Sequence, residues 1–313
     1  MIPQFNDLRA SRRTFLTAAT GAAAGTMLAA TVLPDPRSFA AARAADPKKP
    51  RLKKAVKFGM IGIRGSIEDK FALIKELGFD GVEMDSPSNI DVKEAIAARD
   101  KTGIGIHGVV DSIHWGTRLS DPSADVRAKG LEGLKTALKD CKAYGGTTAL
   151  LVPGQVNDPK NENYDQVWER STAEVKKALP LAHELDVKIA IETVWNNFIT
   201  KPEEFAAYID QFNDPMVGGY FDISNMIKFG PSPARWIRVL GKRMLKFDFK
   251  GYSHAKQWVD IGDGDEDWSE VLKALAEVGY EGWATSEVSG GGREKLKEIA
   301  ERMDRVLGLK QAG

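Results

Sequence analysis

The stretch VKIAIETVWNNF, residues 187–198, begins as a short apolar run and reaches an acid at its end. If the run is a strand, Ile189 and Ile191 lie on one face, while Ala190 and Glu192 share the other. Seven further runs of this kind occur, with longer helical patterns between them. The eight runs cover residues 56–63, 80–85, 103–110, 147–153, 187–193, 216–222, 243–250 and 282–288.

The intervening stretches repeat apolar residues with the 3.6-residue period of a helix, and several end at glycine, as helix C-termini often do. Eight β-then-α units in about 260 residues match the size and rhythm of a (β/α)₈ TIM barrel. A doubly wound open sheet is the alternative. It would favour a G-x-G-x-x-G motif after the first strand, where only GIRGS, residues 62–66, is found. The sequence therefore predicts an α/β fold of the TIM-barrel class.

The N-terminal segment differs in composition from the rest. Its SRRTFL motif, residues 11–16, carries paired arginines ahead of an Ala-rich segment. This pattern predicts a twin-arginine export signal over residues 1–45, cleaved between about residues 42 and 46. A linker, 46–55, and the barrel domain, 56–313, would follow. An uncleaved anchor is the alternative, but the apolar run is short and interrupted by Gly and Thr. We therefore expect a periplasmic or extracellular protein without stable membrane insertion.

Bulk composition excludes several classes of function. The chain has 44 Lys plus Arg against 44 Asp plus Glu, which gives no reason to expect a nucleic-acid partner. Cys141 is the only cysteine, so an intramolecular disulfide is excluded, and its helical pattern predicts a buried thiol. Stability must come from a hydrophobic core.

Four consecutive predicted strands each end in a carboxylate on the face opposite their apolar residues. These acids are Glu192, Asp222, Asp248 and Glu287, from strands five to eight. In a TIM barrel the carboxyl ends of the strands meet at one mouth, where reactive groups collect. The strand pattern therefore predicts that the four acids lie close together.

Carboxylates crowded in this way repel one another unless they are protonated, paired or neutralised by a metal. Hard oxygen ligands favour Mn²⁺ or Mg²⁺, with Ca²⁺ or Co²⁺ as further candidates. The alternative is a set of structural ion pairs at strand ends. Beside a metal site, Lys246 and Lys250, two positions on either side of Asp248, would serve as nearby compensating charge.

Several segments resemble the sugar phosphate isomerase/epimerase family of xylose isomerase-like TIM barrels. They include ELGFDGVEMDSP (76–87), IAIETVWNNF (189–198), GGYFDISNM (218–226) and GWATSEVSGG (282–291). The resemblance implies a metal held by Glu192, Asp222, Asp248 and Glu287, with the two glutamates as catalytic proton shuttles. Relatives place a histidine where this chain has Asp248. The anionic substitute makes the site harder and favours Mg²⁺, Mn²⁺ or Ca²⁺ over Zn²⁺.

Two polar residues end earlier strands in the sequence-based assignment. His107 ends strand three on the inward face, where the resemblance implies a substrate contact and a capping hydrogen bond is the alternative. Glu83 ends strand two and could bind a sugar hydroxyl. Both are predicted substrate-binding residues.

Five further residues complete the predicted substrate site. His114 and Trp115 follow strand three, and Trp115 could stack on a sugar ring or close a lid. Asn225 stands where epimerases of the family often carry a substrate-binding histidine. Lys250 and His254 follow the strand-seven acid and could contact substrate or offset its charge.

These features predict a divalent-metal-dependent isomerase or epimerase that moves a proton in a sugar or keto-sugar through an enediolate. A lyase or hydratase acting on 3-keto-glycosides is the alternative, since it uses the same proton removal. A non-catalytic carbohydrate-binding protein would be favoured by loss of either glutamate, and both are present. A phosphodiesterase with a histidine-rich three-zinc site is disfavoured by only four histidines. The expected partner is a small-molecule sugar substrate, and the sequence is compatible with a homo-oligomer.

Overall fold

The computed structural model describes residues 50–309. The predicted export signal, 1–45, and the start of the predicted linker lie outside the described residues. Eight barrel strands occur within this range: Leu52–Lys57 (β1), Gly81–Ser86 (β2), Gly105–Asp111 (β3), Thr148–Leu151 (β4), Lys188–Glu192 (β5), Val217–Asp222 (β6), Met244–Phe249 (β7) and Gly282–Ser286 (β8).

Eight α-helices follow the strands in alternation. They are Ile67–Glu76 (α1), Val92–Thr102 (α2), Ala124–Tyr144 (α3), Tyr164–Leu185 (α4), Pro202–Asp210 (α5), Pro233–Leu240 (α6), Trp268–Glu277 (α7) and Arg293–Val306 (α8). Capping boxes begin α1 at Ser66 and α4 at Asn163, where side chains satisfy the free backbone N–H groups of the first turn. No helix among residues 50–309 has the length and apolar content that a bilayer crossing requires.

The strands form one closed parallel barrel in the order β1-β8-β7-β6-β5-β4-β3-β2. Closure comes from the pairing of the first and last strands, in which Leu52 lies opposite Gly282 and Val56 opposite Ser286. The predicted (β/α)₈ TIM barrel is confirmed. All eight strands run in one direction, so their carboxyl ends form a single mouth.

The first strand lies four residues earlier than the sequence pattern predicted. β1 begins at Leu52, inside the predicted linker, and ends at Lys57, whereas the predicted run covered 56–63. Residues 58–63 instead form a 3₁₀ turn and a loop over the mouth, with Met60 and Ile61 buried. Gly62 approaches the backbone of Gly291 so closely that a Cβ would lie 2.9 Å from its carbonyl carbon. The apolar run reflects loop burial as well as strand burial.

The hydrophobic core lies between the barrel and the surrounding helices. Outward-facing strand residues such as Phe221 and Phe247 are fully buried, and Phe221 stacks on Trp236 of α6. The inside of the barrel is largely polar by contrast. Its apolar portion is a small cluster of Leu150, Ala190 and Tyr220. Burying a charge is costly, so we expect each charged side chain inside the barrel to be paired with an opposite charge or to bind a ligand.

A small antiparallel strand pair follows β7 at the mouth. Tyr252 lies opposite Trp258, and Ser253 opposite Gln257. The backbone N–H of Val259 donates to the carbonyl of Gly251 at 2.9 Å and closes this segment. The strand pair carries Trp258 to the rim of the barrel.

Candidate active site

Four carboxylates meet at the mouth of the barrel, as the strand pattern predicted. Glu192 and Asp222 are the last residues of β5 and β6, Asp248 lies one residue before the end of β7, and Glu287 directly follows β8. One oxygen from each carboxylate lies within 4.8 Å of one from every other. We call these four residues the mouth cluster.

The carboxylate of Asp248 is fully buried, and neither oxygen accepts a hydrogen bond. Lys57 Nζ lies 3.1 Å from Asp248 Oδ2, an ion-pair distance without hydrogen-bond geometry. The same ammonium is 2.6 Å from Glu83 Oε2. Burial and the neighbouring Asp222 and Glu287 raise the pKa of Asp248 well above its usual range, although Lys57 opposes the effect.

Lys250 neutralises the other half of the mouth cluster. Its ammonium donates hydrogen bonds to both Asp222 and Glu287. Asp222 also accepts a hydrogen bond from the backbone N–H of Asn225 at 2.8 Å. Burial raises the pKa of Asp222, while Lys250 and this hydrogen bond oppose the shift.

The two glutamates differ in charge environment. Burial, then Asp248 and Glu287, raise the pKa of Glu192 well above its usual range. Burial also raises the pKa of Glu287, but the ammonium groups of Lys57 and Lys250 outweigh it and lower the net value. A pair of carboxyls with pKa values shifted in opposite directions can divide the roles of acid and base.

The donors present fit a hard divalent cation. Four carboxylates converge within 4.8 Å, and Asp248 offers two buried oxygens that no protein donor satisfies. A buried polar atom without a hydrogen-bond partner is rare and costly, and these two oxygens are available to coordinate a cation. With all four carboxyls ionised, the cluster carries more charge than Lys57 and Lys250 compensate, and a divalent cation would balance the excess.

A cavity of about 480 Å³ opens above the cluster. Five predicted residues line it: His114, Trp115, Asn225, Lys250 and Glu287, together with the catalytic candidate Glu192. It is also lined by Lys57, Asp85, Val110, Ser112, Val194, Trp195 and Trp258. Asp222 and Asp248 lie beneath this lining. The cavity therefore places three carboxyls, two ammonium groups and three indoles around one small volume.

Two predicted substrate contacts lie too deep in the barrel. Glu83 is the third residue of β2 rather than its last, is 1% exposed, and bonds to Lys57 and the Tyr220 hydroxyl. His107 is the third residue of β3 and stacks on Trp283 with ring centroids 4.7 Å apart. Both strands continue past these positions, so a deeper layer holds them and neither residue lines the cavity.

His254 was also predicted to contact substrate, and it lies outside the cavity. It is exposed, and its backbone N–H donates to Asp265 Oδ2 at 2.8 Å. Tyr252, two residues earlier, lies edge-on to its ring at 5.7 Å.

Lys246 does not compensate the mouth cluster as the sequence predicted. Its ammonium lies 3.0 Å from His107 Nδ1, in the layer beneath Asp248. Lys57, which sequence reasoning missed, supplies that charge instead. The strand assignment 56–63 placed Lys57 near the start of β1, at the opposite end of the barrel. Correct placement of the strand end would have found it.

Comparisons with known proteins agree with the barrel fold. The family model described as xylose isomerase-like TIM barrel matches residues 71–306. An uncharacterized protein of Methanocaldococcus jannaschii, MJ1311, is 22% identical over 290 residues, which are 84% of this chain and 96% of that protein.

Two solved structures have a similar fold at low identity. The 3-keto-D-glucoside 4-epimerase YcjR from E. coli, in its apo form, has a TM-score of 0.69 and 16% identity, covering 82% of this chain and 99% of its own. The IOLI protein with a binding zinc atom has a TM-score of 0.71 and 14% identity, covering 83% of this chain and all of its own. At these identities the likeness establishes the fold.

Proposed function

Because the chain belongs to the xylose isomerase-like TIM barrel family, we propose that it is a sugar isomerase or epimerase that moves a proton on a carbon next to a carbonyl. The observation that carries the proposal is the pair Glu192 and Glu287. Both line one cavity, and their pKa values are shifted in opposite directions. The name of the similar structure, a 3-keto-glucoside epimerase, supports the same class of reaction.

The two carboxyls provide a base and an acid for the transfer. One of the two groups, as a carboxylate, removes the proton from carbon, and the other, as a carboxyl, returns a proton to the enediolate. Lys57 and Lys250 place ammonium groups beside the pocket, where negative charge develops on the substrate oxygens. Return to the other face of the carbon gives an epimer. Return to the neighbouring carbon, together with transfer of a proton from one enediolate oxygen to the other, gives an isomer.

The mouth cluster is proposed to hold a divalent metal, with Mn²⁺ or Mg²⁺ favoured by its oxygen donors. Such an ion, when bound, supplies positive charge that stabilises oxyanions next to the reacting carbon. Asp222 and Asp248 would serve as fixed ligands. Asp248 contributes the two buried oxygens that have no other hydrogen-bond donor.

Lyase or hydratase action on a 3-keto-glycoside is the second candidate. The same proton removal would then expel a group from the adjacent carbon instead of returning a proton. The Glu287 side chain is 38% exposed and reaches an open groove beside the cavity, where a departing group could leave.

The site is proposed to work outside the cytoplasm, on the basis of the twin arginines Arg12 and Arg13. Export disfavours a phosphorylated metabolite and favours a free sugar or glycoside. Replacing both arginines by lysine should retain the protein in the cytoplasm, which cell fractionation would show. Unchanged distribution of the variant would contradict the twin-arginine route.

Deuterium exchange tests the reaction directly. The purified protein is stripped with a chelator and incubated in D₂O with simple ketoses and 3-keto-glycosides, with and without Mn²⁺ or Mg²⁺. We expect metal-stimulated incorporation of deuterium at the carbon next to the carbonyl, detected by NMR and mass spectrometry. If none of these sugars shows exchange or gives an elimination product, the proposed reaction is rejected for this range of substrates.

A further inference from the structure

A second groove adjoins the mouth on the side of Glu287. It has a volume of about 710 Å³, is open to solvent, and shares Lys250, Trp258 and Glu287 with the cavity above the mouth cluster. Glu287 therefore stands between two recesses. A molecule larger than one sugar ring could occupy both at once.

The shared wall is a fixed aromatic surface. Trp258 is 46% exposed, although it belongs to the most apolar class of side chains. One side of its ring stacks on Trp195, with centroids 4.7 Å apart and planes inclined by 23°, and Tyr252 lies edge-on at 5.2 Å. Strand pairing with Tyr252 holds its backbone. An exposed indole that is fixed in this way is typical of a binding surface.

The rest of the groove offers polar groups suited to hydroxyls. Asp260 and Lys295 line it and form an ion pair of 3.2 Å, and Ser289 contributes a hydroxyl. These groups provide both donors and acceptors at the rim, while Val259 and Val288 keep part of the surface apolar. A mixed surface of an aromatic face and convergent polar groups suits a neutral, hydroxyl-rich ligand.

We infer that this groove binds the second unit of a glycoside, so that the substrate is a disaccharide-sized sugar rather than a free monosaccharide. The inference rests on the proposed function, because it places the reacting ring over Glu192 and Glu287. The neighbouring unit lies against Trp258, between Glu287 and Lys295. The two recesses then act as adjacent subsites along one ligand.

Binding by the inactive variant Glu192→Gln tests this arrangement without turnover. Titration calorimetry compares 3-keto-D-glucose with 3-keto-cellobiose as matched probes of one and two rings. We expect the two-ring probe to bind at least about tenfold more tightly. Trp258→Ala, made in the same background, should remove most of that ratio, and Trp258→Phe should restore part of it.

Trp115→Ala is the matched control. Trp115 is similarly exposed, at 48%, but lines the mouth cavity and not the second groove. Its replacement should change the affinities of both probes together and leave their ratio unchanged. Equal affinity of the two probes, or a ratio that Trp258→Ala does not alter, overturns the inference.

Failure of the inference is distinguishable from failure of the proposed function. If monosaccharides exchange deuterium but the second ring adds no affinity, the groove is not a subsite and the reaction stands. If no sugar binds or exchanges, the reaction itself is rejected. Circular dichroism and melting temperatures of the Trp258 variants show whether the rim remains folded.

Discussion

The mouth cluster and the layer of side chains directly beneath it are both charged and buried, but they differ in how their charges are satisfied. The lower set, here called the inner layer, comprises Glu83, His107, Tyr220, Lys246 and Thr285. Lys246 Nζ lies 3.0 Å from His107 Nδ1, and His107 Nε2 lies 3.3 Å from Thr285 Oγ1. The Tyr220 hydroxyl is within 3.2 Å of both Thr285 Oγ1 and Glu83 Oε2.

The inner layer forms a continuous hydrogen-bonded chain inside the barrel in which one carboxylate oxygen, Glu83 Oε1, has no donor, whereas the mouth cluster leaves both oxygens of Asp248 without a donor. Satisfied buried networks specify a structure, and unsatisfied groups require an explanation outside the fold. Lys57 joins the two, since it contacts both Glu83 and Asp248. The difference supports the proposal that the mouth cluster binds a ligand, while the inner layer is held together by contacts within the barrel.

The largest effect should come from Glu192→Gln. This change removes an ionisable group from the cavity but keeps its shape, so turnover should fall by about 10² to 10⁴. The melting temperature should hold or rise, because Glu192 is repelled by Asp248 and Glu287. Deuterium exchange and thermal melts measure the two outcomes, with Glu184→Gln on the exposed face of α4 as control. Full activity in the Glu192 variant would contradict its catalytic role.

The position of the four acids was predictable from sequence because strand parity repeats every two residues and the apolar face was unmistakable. The distance of an inward-facing side chain from the mouth of the barrel was harder to predict. A strand that ends two residues later brings the next inward residue to the mouth, and a sequence pattern locates strand ends poorly. In β2 the predicted run, 80–85, ends within one residue of the observed strand, but the prediction selects Glu83 instead of Asp85, which lies two residues later and lines the cavity.

The same uncertainty hid Lys57, because apolar loop residues after β1 resembled a continuing strand. Contacts between distant strands could not be predicted from local pattern. Lys246 and His107 meet across the barrel, and each had been assigned a role at the mouth. The pairing between β6 and β7 also shifts register between Gly219 and Tyr220, next to Lys246. A local sequence pattern does not reveal such a shift.

Lys57→Met should break the connection between the two layers. It removes the ammonium that pairs with Glu83 and Asp248, leaving buried carboxylates uncompensated, so the free energy of unfolding should fall by about 3–5 kcal/mol. Urea denaturation measures this change. Lys53→Met, at the exposed start of β1, loses only a cation–π contact and should cost about 0.5–1 kcal/mol. Equal losses of unfolding free energy in the two variants would contradict a stabilising role of the Lys57 ion pairs.

Asp248→Ala separates a ligand from an ion-pair partner. If Asp248 holds a metal, the variant should retain less of it, with affinity for Mn²⁺ reduced about 100-fold. Elemental analysis of the purified protein and calorimetric titration with MnCl₂ measure the change. Asp260→Ala, at the solvent-exposed end of the second groove, is the control. Unchanged metal content in the Asp248 variant would show that Asp248 is not a ligand and would favour its interpretation as a structural ion-pair partner of Lys57.

Lys250→Met should act in the opposite direction. The Lys250 ammonium bonds to Asp222 and Glu287 and therefore competes with a metal for the same oxygens. Its removal should strengthen Mn²⁺ binding by about tenfold or more, since a full charge at contact distance is lost. Lys228→Met, on the neighbouring rim over Trp195, keeps the carboxylates paired and should leave Mn²⁺ affinity near its original value. Weaker binding in the Lys250 variant would mean that Lys250 organises the ligands instead of competing with the metal.

The smallest effect concerns two neutral histidines, one in each region. Burial, then Lys246, lowers the pKa of His107 well below its usual range, and burial, then Lys57, lowers the pKa of His114 to about 4. Imidazole resonances followed by NMR should show His114 titrating near pH 4 and the pKa of His107 lying well below the usual histidine range, with His107→Gln and His114→Gln giving the assignments.

An unfolded histidine gains its proton near pH 6.5, while folded His114 stays neutral to about pH 4. Its contribution to stability is therefore present above pH 6.5 and is lost as the pH falls toward 4. Urea denaturation at pH 7 and pH 5 should show a smaller loss for His114→Gln than for the parent protein. Titration of His114 near its ordinary pKa would mean that water reaches this side chain. The mouth and the buried inner layer would then differ in hydration as well as in hydrogen bonding.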